Sequence, residues 1–134
     1  MPVVEIVGDT LSRKQKSLLN LAVKVAATSD LAQRHGAVIV KNGRVLALGV
    51  NKQKNADINA PHALNAPEYF TVHAEADAIN RARNIKGATI YIARVNKRGE
   101  ERLSRPCDSC AETIRKAGIR TVIYTLSDVD DTED

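Results

Sequence analysis

The chain has 134 residues, 43% hydrophobic and 27% charged, the size of one domain able to bury a core without disulfide staples. Such fractions exclude a disordered or collagen-like chain, and no run approaches the roughly 18 apolar residues of a membrane span. The net charge of +4 hides an asymmetry, because Asp128, Asp130, Asp131, Glu133 and Asp134 crowd the C-terminus and leave a more basic body, suited to an anionic ligand.

Met1-Pro2-Val3-Val4-Glu5 lacks the basic and apolar regions of a secretory leader, so a soluble, cytoplasmic protein is expected. Leu18, Leu19, Ala22, Val25 and Ala26 recur at helical spacing behind Thr10 or Ser12 as N-cap, which predicts an amphipathic helix over 12–31. Runs 36–40 and 44–50 are β-rich and flank Asn42-Gly43, the strongest short hairpin signal, so paired antiparallel strands are expected. Residues 51–71 carry Pro61 and Pro67 without periodicity and predict a long loop at the rim of a site. Ala74, Ala78, Ile79 and Ala82 predict a helix over 72–83, ended by Lys86-Gly87. A strand over 88–93 precedes the basic stretch 94–105. A helix over 108–117 with Gly118 as C-cap and a last strand over 120–125 follow. Strands separated by helices imply parallel pairing in the second half, hence an α/β three-layer sandwich around a mixed sheet. Residues 1–126 form the folded domain and 127–134 an acidic, solubilising tail.

His73-Ala74-Glu75 opens one predicted helix and Pro106-Cys107-Asp108-Ser109-Cys110 another. Singly each is weak: a histidine there is usually a cap or surface group, and a Cys-x-x-Cys is equally a redox pair or two small apolar residues. Together they supply one imidazole and two thiolates, which suits Zn²⁺ with a fourth position left to water. The i, i+3 cysteines lie on one face of a first helical turn, where the dipole favours thiolates. There is no third cysteine, and the other histidines are His35 and His62. Glu75, two residues past the histidine, stands where a general acid/base beside a metal would stand; the plain alternative is a glutamate that stabilises the helix dipole.

These two motifs resemble those of the zinc-dependent cytidine and deoxycytidylate deaminase superfamily, whose His-x-Glu and Pro-Cys-x-x-Cys signature and chemistry are well characterised. The element order matches that family's core over roughly residues 12–125. The resemblance implies a cytidine deaminase-like α/β/α sandwich with a four- to five-stranded mixed sheet over residues 1–126. It implies Zn²⁺ on His73, Cys107 and Cys110, and Glu75 as proton shuttle while water attacks the amidine carbon and ammonia leaves. Asn51, Ala74 and Pro106 would contact the substrate. It also implies a homo-oligomer, with a last strand that would otherwise be an open sheet edge.

Histidine as first ligand separates the chain from free-cytidine deaminases, which use cysteine there, and residues 73–79 look closest to deoxycytidylate deaminases. Asp77 departs from that pattern, which usually has asparagine, and the stretch 94–105 is longer than in typical relatives. Arg94, Lys97, Arg98, Arg102 and Arg105 offer contacts to a phosphate or a nucleic-acid backbone, or a plain solvated hairpin. Aromatics are scarce (Tyr69, Phe70, Tyr91 and Tyr124), which favours a free mononucleotide over an extruded base in RNA or single-stranded DNA. The expected reaction is dCMP to dUMP with release of ammonia. Deamination of a nucleic-acid base is the alternative, then a non-catalytic zinc-binding partner subunit, and last a redox module, which leaves His73 and Glu75 without roles.

Overall fold

The computed structural model describes residues 4–7, 11–53 and 71–126. Most of the expected 51–71 loop, with His62, Tyr69 and Phe70, and the acidic tail 127–134 lie outside them. Helix α1 spans Arg13–Ala26 and opens on a capping box: Ser12 Oγ accepts from the Gln15 N–H at 3.1 Å, and Gln15 Oε1 accepts from the Ser12 N–H at 2.8 Å. It stops short of residue 31 because Thr28 Oγ1 donates to Val25 O at 2.6 Å and Ser29 Oγ turns away to Asn51 O at 3.0 Å. Hydroxyls that bond locally in this way compete with the helical ladder.

Strands β2 (Arg34–Lys41) and β3 (Arg44–Val50) form the expected antiparallel hairpin. Asn42 and Gly43 both take positive φ, 53° and 75°, as the tight turn requires. Two short strands, β4 (Lys52–Gln53) and β5 (Thr71–Val72), pair antiparallel outside the main sheet. Because Val72 pairs with Lys52, helix α2 begins only at Ala74 and runs to Arg81, not over 72–83. Strand β6 is Thr89–Val95, β7 is Glu101–Arg102, helix α3 is Asp108–Lys116 and β8 is Thr121–Tyr124. The α3 C-cap is Ala117, and Gly118, expected as the cap, follows it at φ +83°.

The sheet is mixed. Its five main strands run β1-β8-β6-β2-β3, and β7 pairs with β6 off that path. Strand β8 is parallel to β6, while β6–β2 and β2–β3 are antiparallel. One expectation is corrected here. A strand β1, Val4–Val7, pairs parallel with β8, so the edge expected to be open is covered by the chain's own β-branched N-terminal run.

Side chains alternate across the pleat. Ala37, Ile39, Ile90, Ile92, Val122 and Tyr124 face α2 and α3, whereas Val38, Val40, Tyr91, Ala93, Val95 and Ile123 face α1. Each fully buried isoleucine contributes about 1.5–3 kcal/mol. Two glycines set the spacing of the layers. A Cβ on Gly36 would lie 2.4 Å from Ala22 O, and one on Gly49 would lie 2.3 Å from Ala74 O. These close approaches seat α1 and α2 directly on opposite faces of the sheet.

Candidate active site

Three donors meet at the starts of two helices. His73 is the N-cap of α2 and Cys107 the N-cap of α3, with Cys110 one turn in. Their ligand atoms all lie within 4.8 Å of one another, and His73 Nδ1 is 3.0 Å from Cys110 Sγ. A tetrahedral zinc with one nitrogen and two sulfur ligands needs N···S and S···S separations of about 3.6–3.8 Å, so these donors fit the ion with small side-chain adjustments. Among the described residues this is the one such cluster of three or more. It leaves one position of a tetrahedral ion without a protein ligand.

The helix start is not enough to make Cys110 a thiolate by itself. Burial first, then the Glu75 carboxylate and Cys107, push its pKa upward. An ion that binds here has to displace that proton. Glu75, 5% exposed, stands in the same cavity wall. Burial raises its pKa, opposed by its own backbone N–H, by His73 and by the Cys110 thiol. A carboxyl raised by burial is suited to take up and return a proton.

The cavity beside these groups has a volume of about 410 Å³. His73, Ala74, Glu75 and Cys107 form one wall, and Gln33, His35, Asn51, Ser104 and Arg105 contribute to the other. Of the residues expected at the site, Pro106 is half-buried between Arg105 and Cys107 and does not line the cavity.

Asn51 lines it, but its carboxamide is also a structural clamp. Oδ1 accepts from the His35 N–H at 2.8 Å and Nδ2 donates to Gln33 O at 2.7 Å. One N–H and one lone pair remain for a ligand. The basic stretch divides. Arg102 is fully buried, Arg98 faces Glu100 at 2.7 Å across a turn, Lys97 is exposed in that turn and Arg94 is half-buried. Only Arg105 of the five lines the cavity, and it is exposed there, so the solvated-hairpin reading fits the turn but not the buried Arg102.

The segment is anchored by a buried pair of hydroxyls. Ser104 Oγ donates to Ile92 O at 2.8 Å and lies 2.8 Å from Thr125 Oγ1, and Thr125 Oγ1 donates to Arg102 O at 2.7 Å. Asp77 is a second support that spacing alone did not reveal. It accepts from the Val50 N–H at 3.1 Å, Lys52 Nζ at 3.2 Å and Arg81 Nε at 3.1 Å. This ties the first turn of α2 to the end of β3, next to Asn51. Burial raises the Asp77 pKa, but the Val50 bond and the Lys52 and Arg81 contacts outweigh it and hold the group below its ordinary value.

An α/β/α layered domain with a His-Cys-Cys cluster and a buried carboxylate at the helix starts defines a domain built around a metal-binding site. The sequence family sharpens that class: the model of the cytidine and deoxycytidylate deaminase zinc-binding region matches residues 12–126, and the chain belongs to this zinc-binding family. A relative, deoxycytidylate deaminase of Mus musculus, is 27% identical over 118 residues, covering 80% of this chain. The match spans 61% of the mouse protein's length.

Solved structures share the fold. The dCMP deaminase of cyanophage S-TIM5, in complex with dCMP and dUMP, superposes with a TM-score of 0.59 at 20% identity, over 90% of this chain and 88% of that one. Guanine deaminase of Bacillus subtilis gives 0.53 at 23% identity, over 87% and 65%. Cytidine deaminase of Mycobacterium leprae gives 0.51 at 19%, over 79% and 84%. Among the described residues no helix is long and apolar enough to cross a membrane.

Proposed function

We propose that the chain is a zinc-dependent hydrolytic deaminase of a cytosine-containing mononucleotide, converting dCMP to dUMP with release of ammonia. The observation that carries the reading is the buried Glu75 carboxylate in one cavity wall with His73 and Cys107, which share with Cys110 a cluster of donors within 4.8 Å of one another. Support for the nucleotide comes from the relative that is a deoxycytidylate deaminase and from the cyanophage enzyme with dCMP and dUMP. Support for a mononucleotide over a strand comes from Arg105, the one basic residue of the stretch 94–105 that lines the cavity.

His73, Cys107 and Cys110 hold the ion, which when bound supplies the Lewis acidity that brings a water's pKa down towards about 7. Glu75 accepts a proton from the attacking water and delivers it to ring N3. It then carries a second proton to the 4-amino group. The C4–O bond forms, the C4–N bond breaks, ammonia leaves and dUMP remains. Ala74, first residue of α2, has a backbone N–H that the helix leaves without a partner; it meets the pyrimidine edge. Asn51 offers its remaining donor and acceptor to the nucleoside, and Arg105 pairs with the 5′-phosphate.

The chain assembles as a homo-oligomer. Strand β3 is a sheet edge, and Val45 (42%) and Leu48 (43%) on it are exposed. Two thiol ligands suit the reducing cytoplasm. Zinc analysis with an ammonia-release panel of cytidine, dCMP, guanine, adenine and short oligonucleotides tests the reading. The expected result is one zinc per chain and release from dCMP above all others. Stoichiometric zinc with no ammonia from any of them overturns it.

A further inference from the structure

The imidazole of His35 takes no part in the proposed reaction. His35 lines the cavity and is largely withdrawn from bulk solvent. Its position on β2 explains why. Ala37 and Ile39 face α2 and α3, so His35, two residues earlier, faces the same way. Its backbone is gripped on both sides by Asn51: the His35 N–H donates to Asn51 Oδ1 at 2.8 Å, and His35 O accepts from the Asn51 N–H at 3.1 Å. The ring, by contrast, has no hydrogen bond to any described residue. A half-buried imidazole with two polar nitrogens and no partner among the described residues is open to water or to a ligand.

The surroundings determine its charge. Burial, then Arg94 on the neighbouring strand and His73 at the head of α2, bring its pKa down to about 4. At neutral pH the ring therefore offers one donor and one acceptor and no charge. An uncharged ring is a poor partner for phosphate next to Arg105. It is a good one for the amide-like edge of a heterocycle. It lines the same cavity as His73 and Glu75, the cavity that has to hold the reacting ring.

We propose that His35 is a specificity-determining residue that hydrogen-bonds the base of the substrate, while Arg105 serves the phosphate. The inference rests on the deaminase reading and names a recognition group for the same site. The Asn51 clamp uses only the backbone of His35, so the side chain can be changed without releasing β2.

The test is calorimetric binding to zinc-loaded Glu75→Gln protein, which needs no turnover. The probes are dCMP and 2-deoxyribose 5-phosphate, the same ligand without its base. Adding His35→Ala is expected to weaken dCMP binding about tenfold, with zinc content and deoxyribose 5-phosphate affinity unchanged. Adding His35→Asn, which restores a neutral donor and acceptor, is expected to recover most of the loss. Equal dCMP affinity with and without the imidazole overturns the inference, as does an equal loss for both probes. If the Glu75→Gln parent binds deoxyribose 5-phosphate but not dCMP, or binds neither, the cytosine nucleotide reading itself fails and His35 falls with it. That result differs from one in which the parent binds dCMP and the alanine variant binds it equally well.

Discussion

The two walls of the cavity are built in different ways. One wall, with His73, Ala74, Glu75 and Cys107, comes from the first turns of two helices. The other, with Gln33, His35 and Asn51, comes from the ends of two strands, joined by Ser104 and Arg105. On the helix wall, His73 and Glu75 fall together within one helical turn, and Cys107 and Cys110 within another, so that only the approach of the two turns is long-range. On the strand wall, groups sixteen residues apart meet only because β2 and β3 pair in one register, as Asn51 and His35 do. In the proposed reading the chemistry falls on the wall built from two helical turns, and recognition falls largely on the wall built from strand ends.

The sharpest break between the walls is Glu75→Gln. The amide keeps the shape of the side chain but cannot carry the proton, so turnover is expected to fall at least 10²–10⁴-fold with zinc content and fold retained. Ammonia release and metal analysis on the same preparation check it. Turnover that survives would move the chemistry off the helix wall. The next largest effect is on the metal. Cys110→Ser replaces a buried thiol ligand at the centre of the cluster and is expected to abolish stoichiometric zinc. It should also abolish the fall in thermal midpoint that chelation causes in the native protein, because bound metal stabilises only the folded state.

The same division explains what could be read from the amino-acid sequence. The hairpin was legible because Asn42-Gly43 has few other uses. The metal donors were legible because Cys-x-x-Cys at a helix start is a local pattern. His35 was visible only as another histidine, since its direction depends on the alternation through Ala37 and Ile39 and on pairing with Asn51. Asp77 stood out only as a departure from the asparagine usual among relatives, because its partners Val50 and Lys52 are more than twenty residues away. Strand β1 leaves no such mark because four residues, Val4–Val7, are too short for periodicity to register. Its partner β8 lies at the other end of the chain. The basic stretch divides only in the fold: charge alone does not distinguish Arg102, which is fully buried, from Arg105 in the cavity wall.

Gly49→Ala sharpens the comparison from the strand side. The new Cβ would stand 2.3 Å from Ala74 O and 2.4 Å from Ala78 N, both backbone atoms of α2, so the helix has to move. Overpacking of this kind costs about 1–3 kcal/mol, and thermal unfolding should register a loss of several degrees. Because α2 carries Glu75, kcat is expected to fall as well in whatever fraction stays folded. A variant as stable as the native protein would mean that the two walls are not held in contact by this glycine.

Asp77→Asn has the smallest expected effect and depends on pH. The asparagine can still accept from the Val50 N–H but loses its charge towards Lys52 and Arg81, whose side chains are 44% and 58% exposed. Pairs with such partners contribute no more than about 1 kcal/mol. The folded-state pKa of Asp77 is depressed, net of burial. Its contribution is therefore complete above the unfolded pKa and is lost as pH falls through the lower folded value. Native protein is expected to melt slightly above the variant at pH 7, and the gap should close on acidification below the ordinary carboxylate range. Thermal melts across that interval read it directly. A gap that persists unchanged in acid would mean that the carboxylate's charge does not join the walls, and that the shape of the side chain and its bond to Val50 hold α2 against β3.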